Sequence, residues 1–228
     1  MGEALWEALG LIASGDRELL AITWNSIRYS VFSTALTSLL AIPTGVLLAF
    51  RRFSGRRAFI SVLHTLMALP TVIVGLLVYS LLSRSGPLGA LGILFTPSAI
   101  IVGQTVLAYP IVTSLVYGSV YAMEEELRET LTTLGCSGHQ IVWKTLLEAR
   151  VAVATAVLSG FGRLIGEVGV SMMLGGNIRW YTRTMTTAIA LETQRGAFSL
   201  ALALGLLLMI VAFGVNFILN WTAHRATA

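Results

Sequence analysis

The chain has 228 residues, of which 56% are hydrophobic and 11% charged. A soluble domain carries about 25% charged residues, so this composition excludes an ordinary water-soluble fold and points to the bilayer. The net charge of +4 rests on arginine, with Lys144 the single lysine; no nucleic-acid motif accompanies it, so the basic balance reports topology and not a nucleic-acid partner.

The N-terminus, "MGEALWEALGL", carries acidic residues where a signal peptide needs basic ones and reads as uncleaved. Residues 3–13 place Leu5, Leu9 and Ile12 on one helical face and Glu3 with Glu7 on another. That segment is too short to span and is expected to lie on the outer interface, as part of an N-terminal stretch 1–26. Asp16 stands where it can cap the following helix. The charge-free runs 29–50, 58–83, 85–123 and 196–224 are each long enough to cross about 30 Å of hydrocarbon, and 151–176 is a fifth candidate interrupted by Arg163 and Glu167. The prediction is an all-α polytopic membrane protein of five transmembrane helices, with a single membrane domain at 27–221 and a tail at 222–228.

Arg51, Arg52, Arg56 and Arg57 form the densest cationic cluster, which the positive-inside rule places in the cytoplasm. Counting spans from there puts the N-terminus outside, 83–98 outside, 123–150 inside, 175–195 outside and the C-terminus in the cytoplasm. Trp24, Tyr29, Trp143, Trp180, Tyr181 and Trp221 fall near span ends, where aromatic belts belong. Pro70 and Pro110 are expected to kink their spans. His64, alone near the inner end of its span, is expected to be packed and hydrogen-bonded. Cys136, the lone cysteine, excludes an intrachain disulfide and a thiolate metal site, and no metal ligand set is read elsewhere.

Residues 123–150 are the longest polar stretch and read as a helix, a glycine break and a second helix. Glu124, Glu125 and Glu126 suit the positive end of a helix dipole, Leu127, Leu131 and Leu134 line one face, and Gly135 ends the helix with Gly138 close behind. A short amphipathic helix of this kind suits docking into a groove on another protein. It equally suits lying on the headgroups, and spacing alone leaves both readings open.

In "FGRLIGEVG", residues 161–169, Arg163 and Glu167 are four apart and share a helical face, so they can pair. Each unpaired charge at mid-membrane costs roughly 2.5–3.5 kcal/mol on insertion scales. Gly162, Gly166 and Gly169 make a bare face beside them, where another helix can approach. An ion pair that holds helix geometry or a gate is preferred to direct anion contact, because the carboxylate neutralises the arginine and repels an anion. Met172 and Met173 offer an apolar constriction or plain packing. Asn177, Arg179, Thr182 and Arg183, with Arg195, lie at the expected outer mouth. There the arginines either attract an anion by their field or act as ordinary interfacial residues.

The loop at 123–150 resembles the coupling motif of ABC-importer permeases: Glu129-Thr130-Leu131 stands at its Glu-Ala-Ala triplet, Leu134-Gly135 at its Leu-Gly, and Leu147-Glu148 at its Leu-Pro. The glutamate, leucine and glycine match; both alanines and the proline are replaced. "SGPLGALGILFTPSAIIVGQTVLAYP" (85–110) is similar to the outer loop and span of molybdate, sulfate and tungstate permeases. "GRLIGEVGVSMMLGGNIRWYTRTMTTAIALET" (162–193) is similar to the oxyanion permeases as a group and most like their tungstate branch. The resemblance runs from about residue 20 to 221.

It implies a type I ABC importer permease fold and a homodimeric subunit that carries tungstate by alternating access, with molybdate or sulfate as the alternative cargo. The chain has no G-x-x-x-x-G-K-[ST] and is not itself an enzyme. The resemblance therefore places ATP and Mg on two P-loop ATPase subunits, adds an external oxyanion-binding protein, and puts the assembly in the lipid of a prokaryotic cytoplasmic (inner) membrane. Glu129, Leu131, Leu134, Gly135, Cys136 and Ser137 would form the ATPase-coupling element, and Arg163, Gly166, Glu167, Met172 and Met173 the pore or gate. No cofactor is expected in this chain. Two other classes compete: a secondary transporter with His64 and Glu167 as a proton relay, for which no inverted repeat is seen, and a membrane scaffold without transport.

Overall fold

A chain in hydrocarbon must satisfy its own backbone, and the apolar runs do so as helices. The computed structural model describes residues 2–227, with the side chains of Glu125, Glu126, Asn216 and 218–227 outside the described set. The expectations for Glu125, Glu126, Trp221 and the tail 222–228 fall on these. The elements are α1 (Gly2–Ala13), α2 (Arg17–Phe50), α3 (Arg56–Met67), α4 (Thr71–Leu82), a 3-10 turn (Gly89–Leu91), α5 (Pro97–Thr133), α6 (Gly138–Glu148), α7 (Arg150–Ile165), α8 (Gly169–Gly175), α9 (Met185–Gln194) and α10 (Phe198–Thr227).

Helices α2 and α5 form the frame, packed along their length through Ala41, Val112, Val116 and Val120. Gly45 sets their separation: a Cβ there would lie 2.8 Å from a Val116 methyl and 3.0 Å from the Thr113 carbonyl oxygen. Pro43 and Pro110 both sit inside uninterrupted helices, so Pro110 does not break its span. Nor does a new helix begin at Glu124. The sequence from Ile111 to Thr133 holds no proline, and α5 runs straight through it; buried Glu124 pairs with Arg128 one turn on, at 2.6 Å.

Two expected spans are broken. Between α3 and α4 the chain turns by 105° at Ala68–Pro70, and between α7 and α8 it bends by 62° at Gly166–Val168. Pro70, lacking an N–H, stands immediately before α4 as its N-cap residue. Among the described residues three helices are long and apolar enough to cross a membrane, or up to five if each bent pair counts as one span.

Helix α1 forms where expected and packs against the start of α10. Its Ala8 is buried with Leu19, Ile22, Met185, Ala203 and Leu204, and the Ser199 hydroxyl hydrogen-bonds Glu7. Asp16 caps α2 by accepting the Leu19 N–H at 3.0 Å. The His64 side chain is exposed and has no hydrogen-bond partner among the described residues, contrary to the packed role expected of it. Tyr29 is buried and gives its hydroxyl proton to the Tyr181 carbonyl, so it belongs to the core and not to an interfacial belt.

Candidate functional site

The break after α7 converts Glu167 from a mid-helix charge into a junction. Its Oε2 accepts from Arg163 Nη1 at 2.7 Å, and its Oε1 accepts the Val170 N–H at 3.2 Å, capping α8. The Glu167 carbonyl accepts the Thr186 hydroxyl at 2.7 Å. One residue thereby joins the end of α7, the start of α8 and the start of α9. The pair is lopsided in exposure: the Glu167 side chain is 2% accessible and that of Arg163 is 41%. The expected pairing is present, and the arginine lies at the edge of the chain. The expected glycine face is not present as one surface, because Gly166 ends α7 and Gly169 opens α8.

Helix α8 is wedged between α4 and α5. A Cβ at Gly169 would lie 2.7 Å from Thr71 Oγ1, one at Gly75 3.2 Å from Met173 Cβ, and one at Gly103 2.1 Å from a Leu174 methyl. Met173 therefore packs on α4, and Met172 is half-buried beside it. A buried polar chain ties the same elements: Ser33 Oγ donates to Gln104 Oε1 at 2.8 Å, and Gln104 Nε2 donates to Ser171 Oγ at 3.3 Å. Sequence reasoning missed Ser33, Gln104 and Ser171. Their signal was polar residues recurring at helical spacing in α2, as Ser26, Tyr29, Ser30, Ser33, Thr34 and Thr37, inside an otherwise apolar run.

Residues 176–184 form a tied loop after α8. Gly176 (φ 68°) and Asn177 (φ 50°) turn the chain in the left-handed region that glycine and asparagine tolerate. Asn177 Nδ2 donates to the Thr187 carbonyl at 3.2 Å, and Thr182 Oγ1 donates to the Gly175 carbonyl. From α2, Asn25 Nδ2 reaches the Tyr181 carbonyl at 3.4 Å, and the Ser26 hydroxyl accepts the Met185 N–H at 2.6 Å. Asn177 and Thr182 are thus engaged in holding the loop.

The arginines here are paired with carboxylates. Arg179 meets Glu18 with two parallel bonds, Nε to Oε1 at 2.8 Å and Nη2 to Oε2 at 2.6 Å. That hydrogen bonding, and then the charge of Glu18, raises the Arg179 guanidinium above its ordinary range. Buried Arg183 lies between Glu18 (3.4 Å) and Glu192 (3.7 Å), and Arg195 stands 3.4 Å from Glu192. Three arginines share two carboxylates, so the cluster keeps one net positive charge, and the network clamps the start of α2 to α9. Glu18 and Glu192 were not singled out from the sequence.

At the opposite end of α5, Gly135 (φ 77°) closes the helix. The Cys136 N–H reaches back to the Leu131 carbonyl and the Gly135 N–H to that of Thr132, both at 3.0 Å, a turn that glycine at this position permits. The Ser137 N–H then donates to Gln140 Oε1 at 2.7 Å and starts α6. Glu129 is exposed, Leu131 and Cys136 are half-buried, and Leu134 is 73% accessible; Trp143 and Leu147 are also exposed on α6. The segment from Glu129 to Leu147 is therefore a hairpin of two helix ends carrying uncovered apolar side chains.

Compared with known proteins, residues 41–227 match the model of the binding-protein-dependent transport system inner membrane component family. This chain belongs to that family. Within it, the chain is 39% identical over 214 residues to a probable anion ABC transporter permease of Haloferax volcanii, covering 90% of this chain and 92% of the relative. It is 36% identical to the tungstate uptake system permease of Peptoclostridium acidaminophilum, over 95% of each chain, and 38% identical to that of Campylobacter jejuni, over 92% of each. A sulfate permease of Synechocystis is 25% identical and a molybdenum permease of Haemophilus influenzae 27%. The fold matches that of the inward-facing MetNI methionine ABC transporter, with a TM-score of 0.74 at 20% identity over 92% of this chain and 97% of the other. The permease is thus a membrane subunit of ABC-importer type and not itself an enzyme.

Proposed function

We propose that this permease is half of a homodimeric pathway that imports tungstate across a prokaryotic cytoplasmic membrane. An external binding protein delivers the anion. Two P-loop ATPases, which hold the ATP and Mg, dock on the hairpin around Glu129, Leu134 and Gly135 and drive alternating access, with the N-terminus outside and the C-terminus in the cytoplasm. The cargo assignment is carried by the 36–38% identity to relatives named for tungstate uptake, against 25–27% for the sulfate and molybdenum permeases. The uncovered apolar residues of the hairpin support the docking assignment, because a transmitting element needs a face for its partner. The Arg163–Glu167 pair acts as a junction that sets the angle of α7 to α8, and not as an anion site.

Cellular tungsten and molybdenum, measured by mass spectrometry with and without the gene at nanomolar supply, test the cargo. Loss of tungsten alone is the expected result. Loss of both metals makes the system a shared oxyanion importer, and loss of neither overturns the tungstate reading and turns attention to sulfate.

A further inference from the structure

The four arginines at the junction of α2 and α3 bear on topology only as charges, yet their geometry is that of a site. Arg52, Arg56 and Arg57, with Phe53, Gly55 and Tyr121, line a cavity of ≈ 600 Å³. Arg56 is fixed: its Nε donates to the Leu48 carbonyl at 2.7 Å and Nη2 to the Tyr117 hydroxyl at 3.1 Å, and its guanidinium lies 5.3 Å from the ring centres of both Tyr117 and Tyr121. Among the described residues, no carboxylate lies within salt-bridge distance of Arg51, Arg52, Arg56 or Arg57.

Among the described residues the arginines at 128, 163, 179, 183 and 195 meet carboxylates, whereas Arg17, Arg28, Arg84 and Arg150 stand singly without one. Only in the cluster at 51–57 are four arginines gathered with no carboxylate partner among the described residues. Its position compounds the imbalance, because α3 begins at Arg56 and cations at a helix N-terminus oppose the dipole. Gly55 supplies no capping side chain, and the N–H groups of Arg57 and Ala58 have no partner, so further donors stand beside the same cavity. Positive charge concentrated in a concavity without a counter-charge is balanced by an anion with several acceptor oxygens.

The surroundings select which anion. The cavity lies just beyond the end of α2, where the charge-free run 29–50 gives way to Arg51 and Arg52, the change in composition that a membrane–water interface demands. Exposed apolar side chains stand beside it: Phe53, then Phe59, Val62 and Leu66 along α3. A small soluble ion has no use for that rim, whereas the acyl chains of a lipid do. We propose that this cavity binds the phosphate headgroup of an anionic phospholipid, with Arg52 and Arg57 contacting the phosphate, Arg56 held behind them, and the acyl chains lying along Phe53, Phe59 and Val62.

The test is native mass spectrometry of the full-length permease with phosphatidylglycerol or phosphatidylcholine, beside an Arg52→Gln/Arg57→Gln double variant and an Arg84→Gln control. Arg84 is an exposed arginine in another loop. Each basic residue facing an anionic lipid is worth about fivefold in binding, so the double variant is expected to hold phosphatidylglycerol about thirtyfold more weakly. Arg84→Gln is expected to match the parent, and phosphatidylcholine to bind weakly throughout. Equal loss in Arg84→Gln, or undiminished phosphatidylglycerol binding in the double variant, would overturn the proposal. In a parallel arm, inorganic phosphate or tungstate at millimolar concentration is expected to leave the lipid adduct intact; displacement of the lipid would assign the cavity to a soluble oxyanion instead. If an ATPase subunit displaces the lipid from the parent but not from the double variant, the arginines are a protein contact and the lipid assignment fails.

Discussion

Glu167 joins the ends of three helices, and its pair with Arg163 is unequal. Removing the half-exposed arginine strands a carboxylate with 2% accessibility, whereas removing the carboxylate leaves a cation that can still reach its surroundings. An amide at 167 also keeps an acceptor for the Val170 N–H. Arg163→Gln is therefore expected to cost about 1–3 kcal/mol of stability, discounted for the exposed partner, and Glu167→Gln less. Thermal unfolding of the two purified variants in one detergent checks the order; a larger loss in Glu167→Gln would deny Glu167 its role as a buried junction. The sequence made this pair legible because i, i+4 spacing brings the groups together even at the last turn of a helix. The capping role was hidden, because the glycines at 166 and 169 read equally well as a helix-packing face and as the 62° bend they flank. The ion pairs of Arg179 and Arg183 were hidden for a related reason: Glu18 comes from a distant part of the chain, and Glu192 lies on the next helix, beyond any i, i+4 spacing.

At the scale of elements, the contact between α2 and α5 is set by Gly45 against the backbone of Thr113. Backbone cannot yield as a side-chain tip can, so Gly45→Ala is expected to destabilise by about 1–3 kcal/mol. Gly118→Ala, with open space around the added methyl, is expected to be neutral or stabilising by up to about 1 kcal/mol. A denaturation midpoint for each variant decides this, and equal midpoints would mean that the crossing is looser than described. The hairpin of α5 and α6 behaves differently. Leu134 is 73% accessible, so Leu134→Asp is expected to leave the stability of the isolated chain within about 0.5 kcal/mol while abolishing co-purification with the ATPase. Unimpaired co-purification would place the docking face elsewhere. Gly135 was readable as the end of a helix because its left-handed conformation is a local requirement. The start of that helix was misplaced, because acidic residues inside a long helix look like those that begin a short one.

For the whole molecule, composition was enough to declare a polytopic helical membrane protein, since charge-free runs of more than twenty residues leave few other folds available. The number of continuous spans was less legible. Hydropathy stays high across Ala68–Pro70 and Gly166–Val168, so the two breaks are invisible to it, although Pro70 and the glycines at 166 and 169 stand at those places. The wedging of α8 between α4 and α5 depends on glycines far apart in sequence, at 75, 103 and 169, and only the fold assembles them. The family was legible through motif: residues 123–150 and 162–193 resemble those of ABC-importer permeases, and residues 41–227 match that family.

The most direct test of the account is tungstate accumulation in proteoliposomes that contain this permease with its ATPase, with the binding protein in the outer medium. The account expects accumulation that depends on ATP, stops when either partner is omitted, and falls in the Leu134→Asp variant. Tungstate entering at an undiminished rate without the ATPase would contradict it.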